Sequence, residues 1–414
     1  MDRRDFFQLL SAAGLSLTCP LASRSAFAAD PEHLLVTVMA SGGWDATMLC
    51  DPKGNTLQEG KGYINPFAAN EIKSAANDSP IKYAPILEGY EDIGSFDTFF
   101  SSYYQKMLVI NGITMSGSHA SGLQDAAAGS AAFPTIGAMH VASHGNNLSN
   151  GFISFGGAGG GDDPFGAAAI TRIGDISSMS LLAQSNSYQH ETVFDLIEQA
   201  KRAAADRLSA QEQLPARRRA IGQLINASNS PASVSNLVSY IPGEIASGMV
   251  GQAELISAAF ASGMSIAGNL KISPFDSHTK NDQYQSPNLQ EVVAAVNKLW
   301  EMAEQYGYDD KLVVLMLSEG GRGPFYNTES GKDDINLSSM IIMSNAIAGN
   351  RVIQATDDSY EALAIQANTH SADANGEIIR PAHVHRELRQ LLNINASLVE
   401  KYSISANDMG LLGI

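Results

Sequence analysis

His33-Leu34-Leu35-Val36-Thr37-Val38-Met39-Ala40 runs without a break into Ser41-Gly42-Gly43-Trp44-Asp45. A short, continuous apolar run rich in β-branched residues, closed by Gly-Gly, predicts a strand buried on both faces that enters a tight loop. Met107 to Ile113 and Lys311 to Leu317 repeat the pattern, and Met340 to Met343 and Arg351 to Ile353 are weaker copies. Between the last two strong runs, Leu289, Val292, Val293, Val296, Leu299, Trp300 and Ala303 recur at helical spacing, and Gly307 follows as a stop. Buried strands alternating with amphipathic helices predict an α/β fold with a mainly parallel central sheet flanked by helices. Ligands of such sheets lie beyond the carboxyl ends of the strands, which makes the residues just after each run the ones to inspect.

The rest of the 414 residues sets bounds on that reading. Lys and Arg number 26 against 43 Asp and Glu, a formal charge of −17, and such a surface repels a phosphate backbone. Nucleic acid is therefore excluded as a partner. Arg3-Arg4, Phe6-Phe7, a weakly apolar stretch from Leu9 to Leu21 and Ala26-Phe27-Ala28 read as a twin-arginine signal peptide over residues 1–28. Its apolar part is too short to span a membrane, and no other stretch reaches the ~18 apolar residues of a transmembrane helix. The expectation is a mature chain without a membrane span, periplasmic or secreted, whose partner in transit is the twin-arginine export machinery. Of the two cysteines, Cys19 lies in the signal, so Cys50 is left as a buried, inert thiol. Residues 29–414 are expected to form one domain with a helical insertion at about 175–268. The Gly-rich stretch Phe152 to Gly166 lacks the Lys-Ser/Thr of a phosphate-binding loop.

Polar clusters follow the strand runs. Asp45 ends the first, Ser118 and His119 follow the second, and Ser318, Glu319 and Arg322 follow the third. Asp276 and His278, two apart ahead of the amphipathic helix, share a face if that segment is extended. Carboxylates and imidazoles converging at strand ends are what a divalent metal site needs. Each piece also has a structural reading. Asp45 suits a turn or helix cap, Ser118-His119 a helix N-cap, Asp276-x-His278 a surface loop, and Glu319 with Arg322 an ion pair. His140 and His144 are expected on a surface face, and His383 and His385 in structural roles.

Gly42-Gly43-Trp44-Asp45, Ser118-His119, Asp276-Ser277-His278 and Ser318-Glu319-Gly320-Gly321-Arg322, in this order behind a twin-arginine signal, resemble a secreted bacterial family. That family is domain of unknown function 1501, within the alkaline phosphatase/sulfatase-like superfamily; its motifs run G-G-x-D, S-H, D-T-H, S-E-F-G-R and G-T-D-H-G. The resemblance implies an alkaline phosphatase-like fold and two divalent metals at the strand ends, from among Zn, Mg, Mn and Ca. It places Asp276 and His278 on one metal and Asp45 and Glu319 on the other. It implies a small anionic ester as substrate, with Ser118 as nucleophile, Arg322 forked onto the ester oxygens, and His119 as ligand or acid/base group. The chain departs from the family at Gly331-Lys332-Asp333-Asp334-Ile335, where Asp334 stands at the histidine position and offers a harder, oxygen ligand. It also lacks the Asp-His pair usual in active phosphatases and sulfatases. A non-catalytic periplasmic binding or assembly protein on the same scaffold is the competing expectation.

Overall fold

The computed structural model describes residues 31–116, 119–145, 148, 151–156, 170–173, 203–204, 207, 237 and 239–414. The expected export signal, Ser118 and most of the expected insertion lie outside the described residues.

Among the described residues, eight strands form the central sheet: β1 (Leu34–Ala40), β2 (Met107–Thr114), β3 (Phe152–Ser154), β4 (Ile170–Arg172), β5 (Ala267–Ile272), β6 (Leu312–Ser318), β7 (Leu337–Met343) and β8 (Arg351–Gln354). Their order is β8-β2-β7-β6-β1-β5-β3-β4. Every pairing is parallel except those of β7, which runs antiparallel to both β2 and β6. The reason is local: β6 is followed by a short ribbon that pairs Arg322 with Asp334, and the chain re-enters the sheet at the same edge with no crossover helix to carry it to the other end.

Both faces of the sheet are covered. Along β1, Leu34, Val36, Val38 and Ala40 join one core, and Leu35 and Met39 the other. The first core takes the apolar side chains of α1 (Phe96–Tyr103), α4 (Gly248–Ala261) and α5 (Asn281–Tyr306). The second takes those of α2 (His119–Ala128) and α6 (Pro381–Leu391), while α3 (Ile136–His144) contributes to both. The short α7 (Ala396–Lys401) closes the second core with Leu398. Helix α5 stops at Gly307 as its spacing predicts, but it starts at Asn281, ahead of the apolar repeat. Its first turns bury Asn281 and Gln285, so the hydrophobic period does not register them.

Two expectations change. The stretch up to Gly268, read as helical, contains α4 and then the first residues of β5; Gly268 and Asn269 break the apolar run that would have marked a strand. His140 is buried, not on a surface face, and its Nε2 lies 3.0 Å from the His33 carbonyl oxygen. Both His383 and His385 lie inside α6, and the latter's Nε2 is 2.7 Å from the Ala126 carbonyl oxygen, a structural contact as expected. Cys50 is buried and free, with burial pushing its thiol pKa upward. No helix among the described residues is long and apolar enough to cross a membrane.

Candidate metal centre at the strand ends

The register of the sheet decides which loops meet. Ala40 pairs with both Ile272 and Ser318, so the segments leaving β1, β5 and β6 emerge side by side. Thr114, at the end of β2, pairs with Leu337, at the start of β7, so the residues just after β2 meet those just before β7 at the same edge. The antiparallel strand thus delivers Asp334 to a site otherwise built from carboxyl ends.

Asp276, His278 and Asp334 are exposed there, with one ligand atom from each lying within 4.8 Å of the others. His278 Nε2 is 3.1 Å from Asp276 Oδ1 and 3.3 Å from Asp334 Oδ2, while its Nδ1 is 3.1 Å from Asp333 Oδ1. That last contact lowers the Asp333 pKa. His119 sits across the cluster, its Nε2 3.7 Å from Asp334 Oδ2 and its Nδ1 2.9 Å from Glu319 Oε1. The Glu319 hydrogen bond, opposed by partial desolvation, raises the His119 pKa. Two carboxylates and an imidazole, with a carboxylate behind the imidazole, are a donor set that fits a divalent cation.

Arg322 is fully buried beneath this cluster. Its Nε donates to the Gly43 carbonyl at 3.0 Å, and Nη1 to Asp276 Oδ1 at 3.2 Å and the Lys332 carbonyl at 3.3 Å. Its Nη2 donates to the Gly42 carbonyl and Asp334 Oδ1. The guanidinium therefore ties together the loops after β1, β5 and β6, and clamping an ester would require it to release these partners.

Asp45 is buried as well, and its company differs. The Thr47 N–H and Oγ1 donate to Oδ1 at 3.1 and 2.6 Å, as in a helix cap. On Oδ2, Asn281 Nδ2 donates at 3.1 Å and Lys332 Nζ at 2.7 Å. Glu319 Oε2 accepts from Ser41 Oγ at 3.0 Å. The expected ligands thus fall into two groups: Asp276, His278 and Asp334 share one cluster with His119 alongside, while Asp45 and Glu319 have separate partners. A second ion held by Asp45 and Glu319 does not fit these contacts. Lys332 and Asn281 are the residues that motif reasoning overlooked. The signal for the first was present, since a lysine occupies the threonine position of G-T-D-H-G.

No protein-family model and no curated protein matches the chain. Similar solved structures include Ps i-CgsB in complex with k-i-k-neocarrahexaose, at 9% identity over 92% of this chain and 75% of that one, with a TM-score of 0.35. The alkaline phosphatase of the Antarctic bacterium TAB5 is 9% identical over 88% of this chain and 99% of that one, TM-score 0.35. A protein in the alkaline phosphatase superfamily from Vibrio parahaemolyticus is 11% identical over 96% and 76%, TM-score 0.32. These values assign no activity to the chain.

Proposed function

We propose that this chain is an exported protein of the alkaline phosphatase/sulfatase-like superfamily that binds a divalent ion through Asp276, His278 and Asp334 and hydrolyses a small phosphate or sulfate ester. The observation that carries the reading is the convergence of those three side chains within 4.8 Å at the sheet's ligand-binding edge. A bound divalent ion supplies Lewis acidity toward an ester oxygen or a water. His119, held by Glu319 beside the cluster, is placed to exchange a proton there. The ordered motifs and the Arg3-Arg4 signal support the superfamily and the export route.

The test is metal analysis of the full chain purified after native export, with a screen of generic phosphate and sulfate esters. Bound metal and turnover are expected in the wild type, and both should be lost in Asp276→Ala and His278→Ala. Unchanged metal content in those variants rejects the site. Ser118→Ala tests the nucleophile directly, and undiminished turnover would remove that role.

A second reading, a non-catalytic binding or assembly protein, is favoured by the enclosure of Arg322, whose donors are spent on the protein itself. Metal bound without turnover of any ester would select it.

A further inference from the structure

We infer that Lys332 is a resident cation standing where a second metal would otherwise neutralise Asp45, so that the protein takes up one divalent ion rather than two. The inference rests on the reading of Asp276, His278 and Asp334 as the metal site, and adds a claim about the inner half of the same edge.

The geometry of Asp45 carries it. A carboxylate offers about four lone-pair positions, and here Thr47 N, Thr47 Oγ1, Asn281 Nδ2 and Lys332 Nζ fill them. No oxygen position remains for a metal unless one of these donors leaves. Both Asp45 and Lys332 are 0% exposed, so departure of the ammonium would strand two charges away from water. Lys332 is held from several sides. Its backbone N–H donates to the Ser277 carbonyl at 3.0 Å, its carbonyl accepts from Arg322 at 3.3 Å, and Nζ lies 4.8 Å from the Tyr326 ring centroid. Nζ also reaches Thr47 Oγ1 at 3.4 Å. An ammonium offers the positive charge of a metal without its Lewis acidity or its exchangeable ligands. The inner position is therefore closed at any metal concentration, and the outer cluster, exposed and held from below by Arg322, is the one left to bind.

The experiment counts Mn²⁺ ions bound to the full chain by titration calorimetry and elemental analysis, in wild type, His278→Ala, Lys332→Ala and the double variant Asp45→Asn/Lys332→Met. One ion is expected in the wild type and one in the double variant, whose neutral pair needs no metal. Lys332→Ala, which leaves the Asp45 charge without its cation and frees one position on Oδ2, should bind one ion more than the wild type. Two ions in the wild type, fewer ions in the double variant than in the wild type, or no gain in a folded Lys332→Ala would each overturn the inference. If Lys332→Ala fails to fold, as judged by circular dichroism, an unchanged count in the double variant supports it. The two readings fail separately. An unchanged count in His278→Ala rejects the outer site, and even then Lys332→Ala is expected to gain one ion over the wild type.

Discussion

Nδ1 of His119, at the first residue of α2, lies 2.9 Å from Oε1 of Glu319, just past the end of β6. The bond joins two segments that are 200 residues apart in the chain. Glu319 is buried and His119 exposed, so the carboxylate acts as an anchor that presents an imidazole at the surface. Because Glu319 raises its pKa, His119 stays protonated to higher pH than a free imidazole. In chelator-treated protein, Glu319→Gln is expected to move the His119 midpoint down, as read by NMR titration of the ring protons. An unmoved midpoint would break the link between them.

Gln285 organises the inner loops from the start of α5. Its Oε1 accepts the Asp45 N–H at 2.8 Å, and its Nε2 donates to the carbonyls of Phe275 at 2.7 Å and Gly43 at 3.2 Å. The side chain is fully buried, so Gln285→Leu leaves several polar groups without partners or water. Such a loss costs about 2 kcal/mol. Denaturant unfolding should show it as a lower midpoint at unchanged slope.

Gly42 stands where the first loop passes closest to Asp276. Its φ is +116°, and a Cβ there would come within 2.8 Å of the Phe275 backbone nitrogen and press on that of Asp276. Gly42→Ala is expected to lower the melting temperature well beyond Gly60→Ala. Gly60 has φ +73° but open space around a Cβ, so its substitution carries only the roughly 1 kcal/mol of a left-handed alanine. Equal losses at the two positions would mean that the loop does not approach Asp276 as described.

Acid should destabilise the fold through two histidines remote from the site. Burial holds His140 down to about 3 and His385 down to about 4. In the unfolded chain each takes up a proton near pH 6.5. Between that pH and their folded values the unfolded state binds more protons, so stability is complete above about pH 6.5 and falls as pH drops. Each group contributes a slope of at most about 1.4 kcal/mol per pH unit. Denaturant unfolding at pH 7 and pH 5 measures the loss, and His140→Leu should flatten its pH dependence. An equally steep dependence in that variant would assign the acid sensitivity elsewhere.

How much of this was legible in the sequence follows from how locally each feature is encoded. A strand buried on both faces shows itself as an unbroken apolar run, and Leu34–Ala40, Met107–Thr114 and Leu312–Ser318 were readable for that reason. Helix α5 was readable where its buried face is apolar and lost where that face is Asn281 and Gln285. Strand Ala267–Ile272 was hidden by its own Gly268 and Asn269.

At the candidate site, the sequence alone determined which residue types stand after the strands, because loop position follows from strand position. Their pairing was decided only in three dimensions. Lys332 meets Asp45 across 287 residues, Arg322 turns inward onto Asp276 and Asp334, and the antiparallel course of Leu337–Met343 brings Asp334 beside His278. No local pattern records such contacts, since they depend on sheet order and register. Those same contacts decide which carboxylate is enclosed with a cation of the protein, as Asp45 is with Lys332, and which stay exposed for a metal above Arg322.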